Sequence, residues 1–178
     1  PNEVDDVSIV SPEALLVGSQ VTIYGIMEGY LNRAVSMVMQ QMSGLQTDYY
    51  RDYNCDPIDI NTNGRWTAMY GTGGLIDLTT TQEVADEQEK YVLLAISQMW
   101  EALLFSTAAD LWGDIPYSQA ANPEFAEPKF DSQQEVHMAV LDLIDDAIAN
   151  FGEGQVFSLP TEYDFTFGAD TDKWIAAA

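Results

Sequence analysis

Ala108-Ala109-Asp110-Leu111-Trp112-Gly113-Asp114-Ile115-Pro116-Tyr117-Ser118-Gln119-Ala120 carries a helix stop between two segments that repeat at helical spacing. Trp112 ends an apolar face, Gly113 can adopt the positive φ that terminates a helix, and Pro116 cannot continue one. Upstream, Tyr91, Leu94, Ala95, Met99, Ala102, Leu103, Phe105 and Ala109 fall on one side of a helix expected from about Glu83 to Trp112. Downstream, Asp131 reads as the cap of the next helix, with Gln134 in the capping-box position. Val136, Val140, Leu141, Leu143, Ile144, Ala147, Ile148 and Phe151 form its apolar side. Helix, stop and helix predict an antiparallel hairpin in which Leu103 and Phe105 meet Val140 and Ile144.

The same periodicity extends outward. Ser11-Pro12-Glu13 has the order of N-cap, first helical residue and first-turn acid. The helix it opens carries Ile26, Met27, Tyr30, Leu31, Ala34, Val35, Val38 and Met42 at three-and-four spacing up to Gly44, and Gly18, Gly25 and Gly29 within it suggest close helix contacts. Trp66, Met69 and Tyr70 begin a shorter helix toward Leu78, which Gly71, Gly73 and Gly74 interrupt. Asp172 is expected to cap a last helix whose Trp174-Ile175-Ala176 face has no following helix to cover it. No segment alternates at strand period, and helix starts near 87, 132 and 172 are about 40 residues apart. The expectation is an all-α fold of tetratricopeptide-like helical hairpins with long loop insertions, residues 1–178 forming one domain that is truncated at its C-terminus.

With 178 residues, 47% of them hydrophobic, the chain can bury a core of its own. Six Lys plus Arg against 29 Asp plus Glu give a formal net charge of −23, which repels phosphate backbones and anionic lipid and excludes nucleic acid as a partner. By the same reasoning, a neutral sugar suits the chain better than an anionic one. Gln98 and Glu101 break the apolar run of the longest helix, so it does not read as a membrane span. The lone Cys55 has no partner for an internal disulfide and no nearby base. The single His137 lies on a helix, leaving no Ser-His-Asp or Cys-His arrangement to assemble, and the chain is read as a non-enzyme.

Leu45 to Arg65 is the one long segment without core periodicity, yet it concentrates aromatic rings and planar polar groups. A sugar presents a C–H face for stacking and a rim of hydroxyls for hydrogen bonds. Trp66, Tyr49, Tyr50 and Tyr53 would form the platform, and Arg51, Asn54, Asn61, Asn63 and Arg65 the rim. Asp59, Asn61 and Asn63 also match the first half of a calcium loop, but Tyr70 stands where the bidentate Glu belongs, so no metal or other cofactor is expected beyond that weak calcium candidate.

Asp110-Leu111-Trp112-Gly113-Asp114-Ile115-Pro116-Tyr117, then Pro128-Lys129-Phe130-Asp131-Ser132-Gln133 before a second helix, resembles the SusD/RagB family of surface nutrient-binding lipoproteins. Gln40-Gln41-Met42-Ser43-Gly44 and Tyr163-Asp164-Phe165 followed by Gly168 and Asp172-Lys173-Trp174 agree, so the resemblance runs from about Leu15 to the end. It implies the N-terminal portion of a protein on the outer face of an outer membrane, anchored by lipid on a cysteine upstream of Pro1. Its partners would be a neutral oligosaccharide or polysaccharide and a SusC-like TonB-dependent transporter that receives it. The alternative is a helical-repeat adaptor for a protein or peptide, whose binding residues would lie on helix faces.

Overall fold

Tyr91–Trp112 forms the central helix of the computed structural model, which describes residues 11–43, 53–54, 63–71, 73–153 and 158–178, apart from the side chains of Tyr30 and Asn63. In chain order, α1 (Pro12–Tyr24) runs into a π-helical segment (Gly25–Leu31) and α2 (Asn32–Val38). There follow α3 (Asn63–Tyr70), α4 (Leu75–Glu87), the central α5 (Tyr91–Trp112) and α6 (Gln133–Gly152). A 3-10 turn (Thr161–Tyr163) and α7 (Thr171–Ala177) close the chain. Among the described residues the only β pairing is an isolated bridge between Ile115 and Asp131, and the fold is all-α as the periodicity predicts.

α5 packs on α4 along one side and α6 along the other, with α1 laid across α4 and α5. Its residues from Val92 to Gln98 are all buried, the pattern of a helix surrounded by protein rather than one with a single inner face. α5 alone among the described helices is long and apolar enough to cross a membrane, but 78% of that window is buried inside the fold. Leu104 and Phe105 are fully enclosed, each worth about 1.5–3 kcal/mol of transfer free energy. The hairpin with α6 forms as expected: Asn150 Nδ2 donates to Gln98 Oε1 at 2.9 Å and Gln133 Nε2 to the Ala109 carbonyl at 3.0 Å, opposite ends pairing with opposite ends. Val136, Val140, Ala147 and Phe151 are its buried stripe. Leu103 borders a groove with Val140 and Ile144 but stays 46% exposed, and Leu141 is 56% exposed, whereas Phe105 turns away toward Tyr70 and Tyr117.

Four local expectations change. The helix from Glu83 to Trp112 is two helices, because α4 ends in a Schellman motif: Lys90 N–H donates to Ala85 O, Glu89 N–H to Asp86 O, and Glu89 takes φ 54°. The helix opened by Ser11 also ends early, at Val38, where Gln41 N–H to Ser36 O and Gln40 N–H to Met37 O repeat the motif with Gln40 at φ 58°. Its π segment shifts the side-chain register, so Met37 is buried while Val35 faces solvent, and Met42 is exposed beyond the helix end. The cap of α6 is Ser132, not Asp131, and its capping-box partner is Glu135, not Gln134. The last helix is capped by Asp170 rather than Asp172.

Close contact through glycine occurs at Gly73 rather than at Gly18, Gly25 or Gly29, whose Cβ positions are open. Gly73 has φ +79°, and an added Cβ there would overlap the Thr22 side chain of α1. This approach brings the turn between α3 and α4 onto α1.

Candidate functional site

The π-helical segment is where the first helical unit opens. A π turn takes one residue more than an α turn, and Gly29 leaves helical geometry altogether at φ −87°, ψ −109°. Gly25, Gly29 and Arg33 recur every four residues, as do Glu28, Asn32 and Ser36, giving two adjacent rows on one helical face. Both rows line a cleft of about 510 Å³, with Met42 and, from the first turn of α3, Arg65. Cβ atoms on Gly25 or Gly29 would project into open space, so the cleft reaches the backbone there.

Among the described residues, Arg65 is the one expected from sequence that lines this cleft. Its neighbour Trp66 is turned about 100° around the helix axis and is half-buried elsewhere. The Trp66 ring lies 5.0 Å from Tyr70 and 5.4 Å, edge to face, from Trp112. Tyr70 continues the chain of contacts to Phe105 at 5.4 Å and Phe105 to Tyr117 at 4.9 Å, while the Tyr70 hydroxyl donates to Pro116 O at 2.7 Å. Tyr53 is half-buried and Asn54 exposed in a short described piece. Asn63 is the first residue of α3. Tyr49, Tyr50, Arg51, Asn61 and the calcium candidate Asp59 lie outside the described residues, as does Cys55. Among the described residues no group of three or more His, Cys, Asp or Glu is placed to hold a metal ion.

Glu28, Asn32, Arg33 and Ser36 are the cleft residues that sequence reasoning passes over, because they interleave with the apolar positions of a core helix. A signal for them exists in retrospect: an i, i+4, i+8 row of polar residues beside two glycines at the same spacing. Together these side chains offer guanidinium and amide donors and carboxylate, amide and hydroxyl acceptors. The set suits hydrogen bonding to a polyhydroxylated ligand.

Marked electrostatic perturbations lie elsewhere, where the connector between α5 and α6 packs against Glu101 of α5. Burial pushes the Glu101 carboxyl up, and hydrogen bonds from Gln82 (2.7 Å) and the Tyr117 hydroxyl (2.8 Å) offset only part of that. The same burial, then the Glu101 charge, raises Tyr117. For Asp131 burial acts upward too, but Lys129, the Ser118 N–H and hydroxyl and the Tyr117 N–H outweigh it and bring the carboxyl down to about 2. Asp131 therefore ties the 115–118 strand-like piece to the start of α6. His137 lies on α6 with Nε2 3.2 Å from the exposed Asp110 carboxylate.

Paired helices around a buried central helix, with a polar cleft at a π turn, define an all-α helical module. The chain belongs to the SusD-like family, described as starch-binding and associating with the outer membrane, which matches residues 2–177. It is similar to the crystal structure of a SusD/RagB family protein from Bacteroides thetaiotaomicron VPI-5482, with a TM-score of 0.81 at 25% sequence identity. That likeness covers 94% of this chain and 36% of the other, so the chain spans about a third of that relative's length. No functionally curated protein matches it significantly.

Proposed function

We propose that this chain is the N-terminal helical portion of a cell-surface, non-enzymatic glycan-binding lipoprotein of the outer membrane. It captures oligosaccharides and passes them to a SusC-like TonB-dependent transporter. The observation that carries the reading is the cleft at the π segment, where Arg65, Arg33, Asn32, Ser36 and Glu28 converge from three elements in a chain of the starch-binding SusD-like family. Carbohydrate hydroxyls need donors and acceptors side by side, and this set supplies both. The lipid anchor and the transfer to a transporter rest on family membership, and the relative's greater length leaves room for further glycan contacts beyond this chain.

A glycan array probed with residues 1–178 tests the proposal, followed by calorimetry on Asn32→Ala and Arg65→Ala. Retention of oligosaccharides, weakened in both variants at unchanged melting temperature, is the expected result. An array with no retained glycan, or variants that bind like the parent, would remove the cleft as the site.

A further inference from the structure

α7 is held to the fold by Trp174. Its ring lies 6.2 Å from Trp100 of α5 and is stacked at 6.5 Å on Phe151 of α6, while its Nε1 donates to Asp164 Oδ2 at 2.8 Å. One turn further along the same face, Ala177 is exposed and borders two grooves, of about 430 Å³ and 380 Å³, which also share Met99 and Leu103 of α5. The smaller groove runs between α5 and α6, with Met99, Leu103 and Ser106 on one side and Ile144, Leu141 and Val140 on the other. Both rows have the three-and-four spacing of a helix face that receives another helix. No carboxylate lines this groove in a chain that holds 29 acids.

The direction of α7 follows from the antiparallel pairing beneath it. Gln98 meets Asn150 at one end of the α5–α6 pair, and Ala109 meets Gln133 at the other. Trp174, on Trp100 and Phe151, stands at the first end, and Ala177 has advanced from there to the mouth of the groove. α7 therefore points along the groove toward Ser106.

We infer that this groove is the seat of the continuation of α7: the segment that follows Ala178 in the longer protein carries the helix on over Leu103 and Leu141. This rests on the reading of the chain as the N-terminal portion of a longer protein, not on the glycan cleft. The likeness to the SusD/RagB relative covers 36% of that protein, so most of its length has no counterpart in these 178 residues. Seven residues of α5, from Met99 to Ser106, span about 10 Å, so two further turns of α7 would cover the row. Apolar residues would recur at three-and-four spacing from Trp174 and Ala177, burying Leu103 and Leu141, which are now 46% and 56% exposed.

Maleimide labelling reads the cover directly, with Leu103→Cys or Leu141→Cys placed in a Cys55→Ser background. Three chains are compared: residues 1–178, the same chain lengthened by about fourteen residues of the gene product, enough for about 21 Å of helix, and the intact protein. Both cysteines should react freely in residues 1–178 and at least about tenfold more slowly in the two longer chains. If a cysteine variant fails to fold, deuterium exchange over residues 99–106 and 137–144 of the unaltered chains gives the same comparison. Equal rates in all three chains overturn the inference, as does a proline within the first two turns after Ala178. Protection confined to the intact protein assigns the cover to a later segment, and slow labelling of residues 1–178 that quickens on dilution assigns it to a second copy; either result overturns the inference. A gene product ending at Ala178 overturns it together with the reading as an N-terminal portion, whereas glycan retention by residues 1–178 is decided separately on the array.

Discussion

The Tyr117 hydroxyl donates to Glu101 Oε1 at 2.8 Å, joining the connector after α5 to a carboxylate buried in the middle of that helix. Gln82 of α4 donates to the other oxygen, so one acidic side chain ties three segments together without a cation among its hydrogen-bond donors. Because burial holds the folded Glu101 carboxyl above its unfolded value, the folded state binds more protons between the two values, and stability falls as pH rises through that interval. Tyr117→Phe removes a donor and makes the charged form still less favourable. It is expected to cost about 1–3 kcal/mol at pH 8 and less at pH 4, where Glu101 carries its proton. Urea unfolding of parent and variant at the two pH values measures the difference, and an equal cost at both would disconnect Tyr117 from the Glu101 charge.

Asp131 works in the opposite sense. Its folded value of about 2 lies below the ordinary carboxylate range, so its contribution is present at neutral pH and is lost as pH falls toward 2. Asp131→Asn should destabilise by roughly 2 kcal/mol at pH 7, and the gap from the parent should close in acid. A gap that persists unchanged at pH 2 would assign the loss to geometry and not to charge.

Much of this helix framework was legible because local signals and packing agree. Ser11 and Pro12 start α1, Gly113 takes φ 75° and ends α5, and Val136, Val140, Ala147 and Phe151 of the α6 stripe are buried as their spacing predicts, while Leu141 and Ile148 of the same stripe are exposed. The breaks after α2 and α4 were not legible, since Gln40 and Glu89 occupy positions where glycine would have announced a stop. Gln88, Glu89 and Lys90 are good helix formers, and the chain turns there because α4 must fold back onto α5, with Lys90 pinned to Glu13 of α1. The site divided in the same way. Arg65 stood out in an aperiodic stretch, while Arg33 was hidden in the pattern of a core helix whose π turn shifts its register.

Gly73 provides a test of the approach between α1 and the α3–α4 turn. Its φ of +79° disfavours any side chain, and a Cβ would overlap Thr22. Gly73→Ala should cost more than about 1 kcal/mol. Adding Thr22→Ala should recover the overlap but not the backbone strain, giving a measurable coupling between the two positions. Strictly additive effects would mean that the turn does not rest on Thr22.

Trp66 and Tyr53 were expected to share a sugar platform, and their placements call for separating them. Trp66 is engaged by Tyr70 and Trp112, so Trp66→Ala should lower stability by about 3 kcal/mol, and any loss of binding would report α3 as much as ligand contact. Trp66→Phe keeps most of the packing and is the better probe of stacking. Tyr53 is half-buried and, among the described residues, makes none of the ring contacts found around Trp66. Tyr53→Ala should therefore leave the melting temperature nearly unchanged while weakening oligosaccharide binding by about 1 kcal/mol if its ring stacks on a sugar. Calorimetry and thermal melts on the three variants separate the cases. Binding that follows stability across all three would move the stacking surface away from both residues and leave the cleft of Arg33 and Arg65 to hold the ligand through polar contacts alone.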